Sequence, residues 1–123
     1  MASSSTEPFR VDLGDRVVDG LAAGAVEASA PPLVLLHGIG SAARSFEAVL
    51  PLLAEGRRVI AWNAPGYGGS TPLATEAPDA SAYAAVLARL LDALDLDRVH
   101  LLGHSLGSIM AARFAAEHPE RLA

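Results

Sequence analysis

Three short apolar runs divide the chain. Leu33-Val34-Leu35-Leu36, Val59-Ile60-Ala61-Trp62 and Val99 to Leu102 are each bounded by polar, Gly or Pro positions. Continuous apolar runs of this length fit strands covered on both faces, as in a parallel sheet. Between the second and third runs the period changes. Tyr83, Val86, Leu87, Leu90, Leu91 and Leu94 fall at i, i+3, i+4, i+7, i+8 and i+11, one apolar stripe on a helix started by Asp79 or Ser81. Arg89 and Asp92 occupy its other face, so the stripe reads as core packing.

The other segments carry weaker patterns. Residues 1–8 are Ser-rich and read as a disordered leader, with one domain over residues 9–123. Phe9 to Asp12 and Arg16 to Val18 are short strand candidates around a Gly14-Asp15 turn, a hairpin. Gly20 to Pro32 reads as a connection carrying part of a second edge strand. A helix is expected from Ala42 to about Leu53, capped by Ser41 and split by Pro51. The third run, taken as Arg98 to Leu102, leads to a last helix over Ser108 to Glu117. In that helix Gly107, Ala111 and Ala112 allow close backbone approach, and Ile109, Met110 and Phe114 are expected to fill the core. Strand and helix alternate three times. That order implies right-handed crossovers and a mostly parallel sheet flanked by helices, an α/β fold.

Ligands of such sheets lie outside the carboxyl ends of the strands. Three glycine-rich loops leave those ends, at 37–40, 63–70 and 103–107, and they are expected to converge on one site. The last is Gly103-His104-Ser105-Leu106-Gly107, a G-x-S-x-G sequence between a strand and a helix. A tight turn there leaves no room for Cβ atoms two residues either side of the serine, which accounts for both glycines. The turn lifts the Ser105 hydroxyl clear of the backbone at a helix N-terminus, where the dipole favours developing negative charge.

Composition adds exclusions. A net charge of −5 with no basic stripe argues against nucleic acid as a partner. No apolar run approaches the ~20 residues of a membrane span, and the N-terminus has neither a basic nor an apolar signal region. The chain contains no cysteine, which excludes thiolate, disulfide and Cys–zinc chemistry and fits a cytoplasmic location. No metal or organic cofactor is expected.

Together, His37-Gly38-Ile39-Gly40, the loop Asn63 to Ser70 and the 103–107 turn resemble the α/β-hydrolase family in order and spacing, from about residue 30 to the end of the chain. The resemblance implies that Ser105 is a nucleophile and that the Leu106 and Ile39 N–H groups form an oxyanion hole. His37, Gly38, Gly40, Gly103, His104 and Gly107 then support the loops. Ser105 followed by Leu106 looks most like the esterase, enol-lactonase and carbon–carbon bond hydrolase branches. Haloalkane dehalogenases and most epoxide hydrolases carry Asp at the nucleophile position, and perhydrolases and cofactor-free haloperoxidases typically carry Met after the serine. The family usually has Asp where this chain has Asn63.

A serine hydroxyl needs a base within hydrogen-bond reach, and the family places an acid and a histidine well downstream of the serine. His118 lies thirteen residues along the same helix, about 20 Å away. His104 is expected to pack in the turn and His100 to be a core or partly buried strand residue. His37 belongs to the oxyanion loop. Glu117, Glu120, Asp95 and Asp97 sit at the wrong ends of their elements. The chain therefore reads as the N-terminal half of a serine hydrolase of small esters or lactones, inactive alone and lacking the C-terminal strands. The resemblance implies further strands beyond Leu102, so the expected open edge invites a complementing chain or self-association. Two other readings stand beside it: carbon–carbon cleavage of a dienoate, and a non-catalytic fragment or binding protein of the same fold.

Overall fold

The computed structural model describes residues 5–75 and 77–123. Its centre is a five-stranded sheet in the order β1-β2-β4-β3-β5, with β1 at Glu7–Asp12, β2 at Val17–Ala23, β3 at Leu33–Leu36, β4 at Val59–Trp62 and β5 at His100–Gly103. The sheet is mixed. β4, β3 and β5 run parallel to one another, while the β1–β2 hairpin joins β4 in antiparallel register, with Gly20 opposite Trp62 and Ala23 opposite Val59.

Alternation along the parallel strands builds two cores. Val34, Leu36, Ile60 and Trp62 point to one face, where α2 (Ala80–Ala93) and α3 (Leu106–Glu117) cover them with Leu87, Leu90, Met110 and Phe114. Leu33, Leu35, Val59 and Ala61 point to the other, against Ala43 of a 3₁₀ turn (Ala43–Phe46) and Leu50 at the start of α1 (Leu50–Leu53). β3 and β4 are thus buried on both faces, which is why their sequences carry no polar alternation.

Several expectations need revision. Glu7 and Pro8, assigned to the leader, open β1; residues 1–4 lie outside the described residues. The second strand extends to Ala23 through the segment read as a connection, and it is interior, paired with both β1 and β4. Gly20 hid it: glycine is a poor strand residue, but a Cβ there would stand 2.8 Å from the Phe9 ring. Ser41 does not cap the following turn; its hydroxyl meets that of Ser45, and Ala42 is the N-cap residue. Pro51 lies in the first turn of α1, where its missing N–H costs nothing. Asp79 is the N-cap of α2 and accepts from Ala82 N–H.

β5 differs from the other parallel strands. His100 and Leu102 are exposed, the latter by 44%, against the expectation of a buried strand and a covered His100. Their partners in register, Leu33 and Leu35, share their face of the sheet, but the layer of α1 and the 3₁₀ turn does not extend over β5. Among the described residues β5 is an edge strand, paired with β3 on one side, while on the other an isolated parallel bridge joins Val99, just before it, to Leu122. Ile109, expected in the core, is 58% exposed. Gly107, Met110 and Phe114 define the buried line of α3, and Ile109 sits off it.

Candidate functional site

The three glycine-rich loops meet at the carboxyl ends of β3, β4 and β5. β3 hands its last carbonyl, that of Leu36, to the His104 N–H at 3.0 Å. A Cβ on Gly107 would stand 2.6 Å from the Leu36 carbonyl carbon and 2.8 Å from the His37 oxygen, so only glycine lets α3 start this close to β3. A Cβ on Gly103 would meet Ser108 Cα at 2.6 Å, and one on Gly38 would meet Ser105 Cβ at 2.9 Å. The 37–40 loop therefore lies directly against the serine.

Ser105 is the N-cap residue of α3, with φ 57° and ψ −120°. Positive φ is costly for a residue with a Cβ, and it turns the side chain out of the chain's path while the helix begins at Leu106. Ser105 is exposed, and its own carbonyl is taken by the Ser108 N–H and hydroxyl. Gly107 N–H donates to His104 O at 2.9 Å. Among the described residues neither the Leu106 N–H nor the Ile39 N–H has a hydrogen-bond acceptor within the chain. Two free donors flanking a serine at the positive end of a helix are what an oxyanion requires.

His37 is buried and makes two bonds that fix its proton. Its Nδ1 lies 2.9 Å from Gly38 O, a carbonyl that only accepts, so Nδ1 carries the hydrogen. Its Nε2 accepts from the Ala64 N–H at 3.0 Å. Burial holds the ring's pKa below the ordinary histidine value, opposed by the bond to Gly38. Tyr67 stands edge-on to it at 4.7 Å. His37 thus links two of the three loops and faces neither a carboxylate nor the Ser105 hydroxyl as a bonded partner.

The loop after β4 is held by a second polar cluster. Asn63 Oδ1 accepts from Ala43 N–H at 2.8 Å, and its Nδ2 donates to Asp19 on β2 at 2.7 Å. Asp19 also accepts from Gly69 N–H, and Ser70 Oγ donates to Asn63 O at 2.6 Å. Asp19 escaped the sequence reading because its partners lie 44 to 51 residues away.

Among the described residues none of the other histidines is hydrogen-bonded to the Ser105 hydroxyl. His104 is exposed beside Gly38, and His118 closes α3 at its far end, 4.9 Å from the Phe114 ring and paired with Glu120 at 3.9 Å. Among the described residues that is the one histidine–carboxylate pair, and no group of three or more metal-ligating side chains occurs. No helix among them is long and apolar enough to cross a membrane. Grooves of 340 and 350 Å³ lie beside β5 and around Asp19, and Ser105 lines neither.

Comparison with known proteins follows the same residues. Residues 31–123 match the family model of the alpha/beta hydrolase fold. A 2-hydroxy-6-oxononadienedioate/2-hydroxy-6-oxononatrienedioate hydrolase of Cupriavidus pinatubonensis is 38% identical over 77% of this chain and 34% of its own length. A pimeloyl-acyl-carrier-protein methyl ester esterase of Aeromonas hydrophila is 41% identical over 75% of this chain and 35% of its own. Among solved structures, 2-hydroxy-6-oxo-6-phenylhexa-2,4-dienoate hydrolase from Rhodococcus sp. strain RHA1 superposes with a TM-score of 0.84 at 26% identity, covering 98% of this chain and 44% of that one. The chain spans about a third of the length of the curated relatives it matches.

Proposed function

From the premise that the chain belongs to the α/β-hydrolase family, we propose that it carries the nucleophile and oxyanion hole of a serine hydrolase acting on carboxylic esters or lactones. One observation supports this above the others: Ser105 stands at positive φ, followed by the Leu106 N–H and packed by Gly38, which precedes the Ile39 N–H, and neither N–H has a partner among the described residues. Ser105 Oγ attacks the substrate carbonyl, and the oxygen gains charge against the two donors. Each donor contributes about 3 kcal/mol of transition-state stabilisation. The proton passes to a histidine oriented by a carboxylate, neither of which is among the described residues, and then to the leaving group. Water repeats the cycle on the acyl-enzyme.

A second reading has its own support. The Cupriavidus relative is a hydrolase of a 2-hydroxy-6-oxo dienedioate, a compound named without any ester, so its hydrolysis breaks a carbon–carbon bond. The Aeromonas relative is a methyl ester esterase. Both reactions use a nucleophile and a site that holds an oxyanion, and the geometry here serves either.

A fluorophosphonate probe tests the common part. In a protein that also includes the segment supplying the histidine and carboxylate, covalent labelling of the wild type and its loss in Ser105→Ala is the expected result; no labelling there sinks the reading in favour of a non-catalytic fragment or binding protein. A short-chain p-nitrophenyl ester and a 2-hydroxy-6-oxo dienoate then separate the two substrate classes.

A further inference from the structure

We propose that His37 is a positioning residue for the oxyanion hole: through Nδ1–H it fixes the peptide plane that presents the Ile39 N–H to Ser105. The inference rests on the serine-hydrolase reading and concerns a residue that touches no reacting atom.

The argument begins with the peptide unit between Gly38 and Ile39. Its carbonyl belongs to Gly38 and its N–H to Ile39, and in a trans peptide the two point in opposite directions. Whatever fixes the carbonyl aims the N–H. Gly38 O accepts from His37 Nδ1–H at 2.9 Å and from Ser41 N–H at 3.2 Å, both on the inner side of the loop. The Ile39 N–H is thereby turned the other way and has no partner among the described residues, beside a Gly38 Cα that packs on Ser105. Donation to the carbonyl also polarises the same amide, which strengthens its N–H as a donor.

The imidazole is itself held. Ala64 N–H donates to Nε2 at 3.0 Å from the loop after β4, and the Tyr67 ring closes the side of the site. Both ring nitrogens are committed, and only the neutral Nδ1–H tautomer satisfies both bonds. Protonation at Nε2 would set an N–H against the Ala64 N–H and release the ring from its anchor. The titratable groups around it are Tyr67, in ring contact, and His104, whose Nδ1 lies 3.4 Å from the position a Gly38 Cβ would take. Among the described residues no carboxylate pairs with it, its bonded partners being Gly38 O and Ala64 N–H.

The sign of the pH effect follows. The folded pKa lies below 6.5, so the neutral form stabilises the fold at pH above 6.5. That stabilisation is lost as pH falls from 6.5 to the lowered folded value, whereas in the folded protein the ring stays neutral and the loop anchored until pH falls through that lowered value.

Two measurements test the proposal. In protein carrying 15N-histidine, long-range 1H–15N correlation spectra at pH 7.5 should show His37 protonated at Nδ1 and bare at Nε2, and still neutral where an exposed imidazole has titrated. A bare Nδ1, or titration at the ordinary histidine value, overturns it without any bearing on Ser105. The second compares fluorophosphonate labelling rates in the protein that includes the segment supplying the histidine and carboxylate. His37→Leu should label about 10- to 100-fold more slowly at unchanged probe affinity. His37→Asn, whose amide N–H replaces Nδ1–H but does not titrate, should recover most of that rate. Equal rates in wild type and His37→Leu would reject the positioning role and leave the nucleophile intact. A wild type that shows the Nδ1–H tautomer and no labelling would instead reject the hydrolase reading, and the catalytic role of His37 with it.

Discussion

Asn63 and Asp19 are joined side chain to side chain across 44 residues of sequence, Asn63 Nδ2 donating to Asp19 Oδ1 at 2.7 Å. The pair explains why an amide stands where the family usually has a carboxylate. One end of the Asn63 side chain must accept, from Ala43 N–H, and the other must donate, to Asp19. An aspartate could do only the first and would place two carboxylates at hydrogen-bond distance. Asn63→Asp is expected to cost about 1–3 kcal/mol at pH 7, from the lost bond and like-charge repulsion. Urea denaturation should show a smaller cost near pH 4, where one carboxyl of the pair takes up a proton. A variant as stable as wild type at pH 7 would show that the cluster does not hold the loop.

Gly38 offers a direct test of how closely the 37–40 loop is set against the serine. A Cβ there would stand 2.9 Å from Ser105 Cβ and 3.3 Å from His104 O. One neighbour is backbone and the other is fixed at the start of α3, so the loop must move. Gly38→Ala is expected to cost about 1–3 kcal/mol of stability. On the proposed mechanism it should also lower the rate of serine labelling by on the order of 10²-fold, because the Ile39 N–H would no longer meet the oxyanion. Substrate affinity should change far less. A fall in affinity with the rate preserved would place Gly38 in substrate binding instead.

Arg121 ties the last turn to the loop before β5. Its guanidinium donates to Leu96 O at 2.6 Å and Asp97 O at 2.7 Å and pairs with Asp92 at 2.8 Å, with 15% of the side chain exposed. The same segment sets Leu122 beside Val99, where Val99 N–H donates to Arg121 O and Ala123 N–H to Val99 O. Arg121→Ala should cost about 1–3 kcal/mol. Amide exchange at Val99 and Ala123 should accelerate more than at Leu35. Lysine at 121 has no planar fork for two carbonyls and a carboxylate, so it should rescue little. Uniform acceleration across the sheet would mean that the clamp has no local role.

What the sequence disclosed follows from which signals are local. β3, β4 and α2 were legible because burial on two faces, or on one helical stripe, leaves a period in the residues themselves. The strand-to-helix turn at 103–107 was legible because Gly103 and Gly107 are demanded by close contacts with the backbone around it. The interior course of β2 was not, since Gly20, Ala22 and Ala23 are chosen for packing on Phe9 and the core rather than for strand propensity. Exposure of His100, Leu102 and Ile109 depends on which elements cover β5 and α3, a tertiary fact with no local trace. The His37 tautomer and the Asp19 cluster likewise need partners from distant loops before they mean anything.

Strain at Ser105 separates stability from function at a single position. Its φ of 57° and ψ of −120° lie outside the regions comfortable for a residue with a Cβ. Helix α3 and the packing of Gly103 and Gly107 hold it there. Ser105→Ala removes the hydroxyl but keeps the Cβ, so the strain remains. Ser105→Gly removes both. The glycine variant gains relief of about 1–2 kcal/mol in the folded state and loses roughly half of that to the freer unfolded chain. It should therefore be more stable than Ser105→Ala by about 0.5–1 kcal/mol, while both fail to label with a fluorophosphonate. Thermal unfolding of the three proteins side by side reads the difference. An alanine variant as stable as the glycine variant would mean that the turn carries no strain, and the exposed hydroxyl would then need another cause.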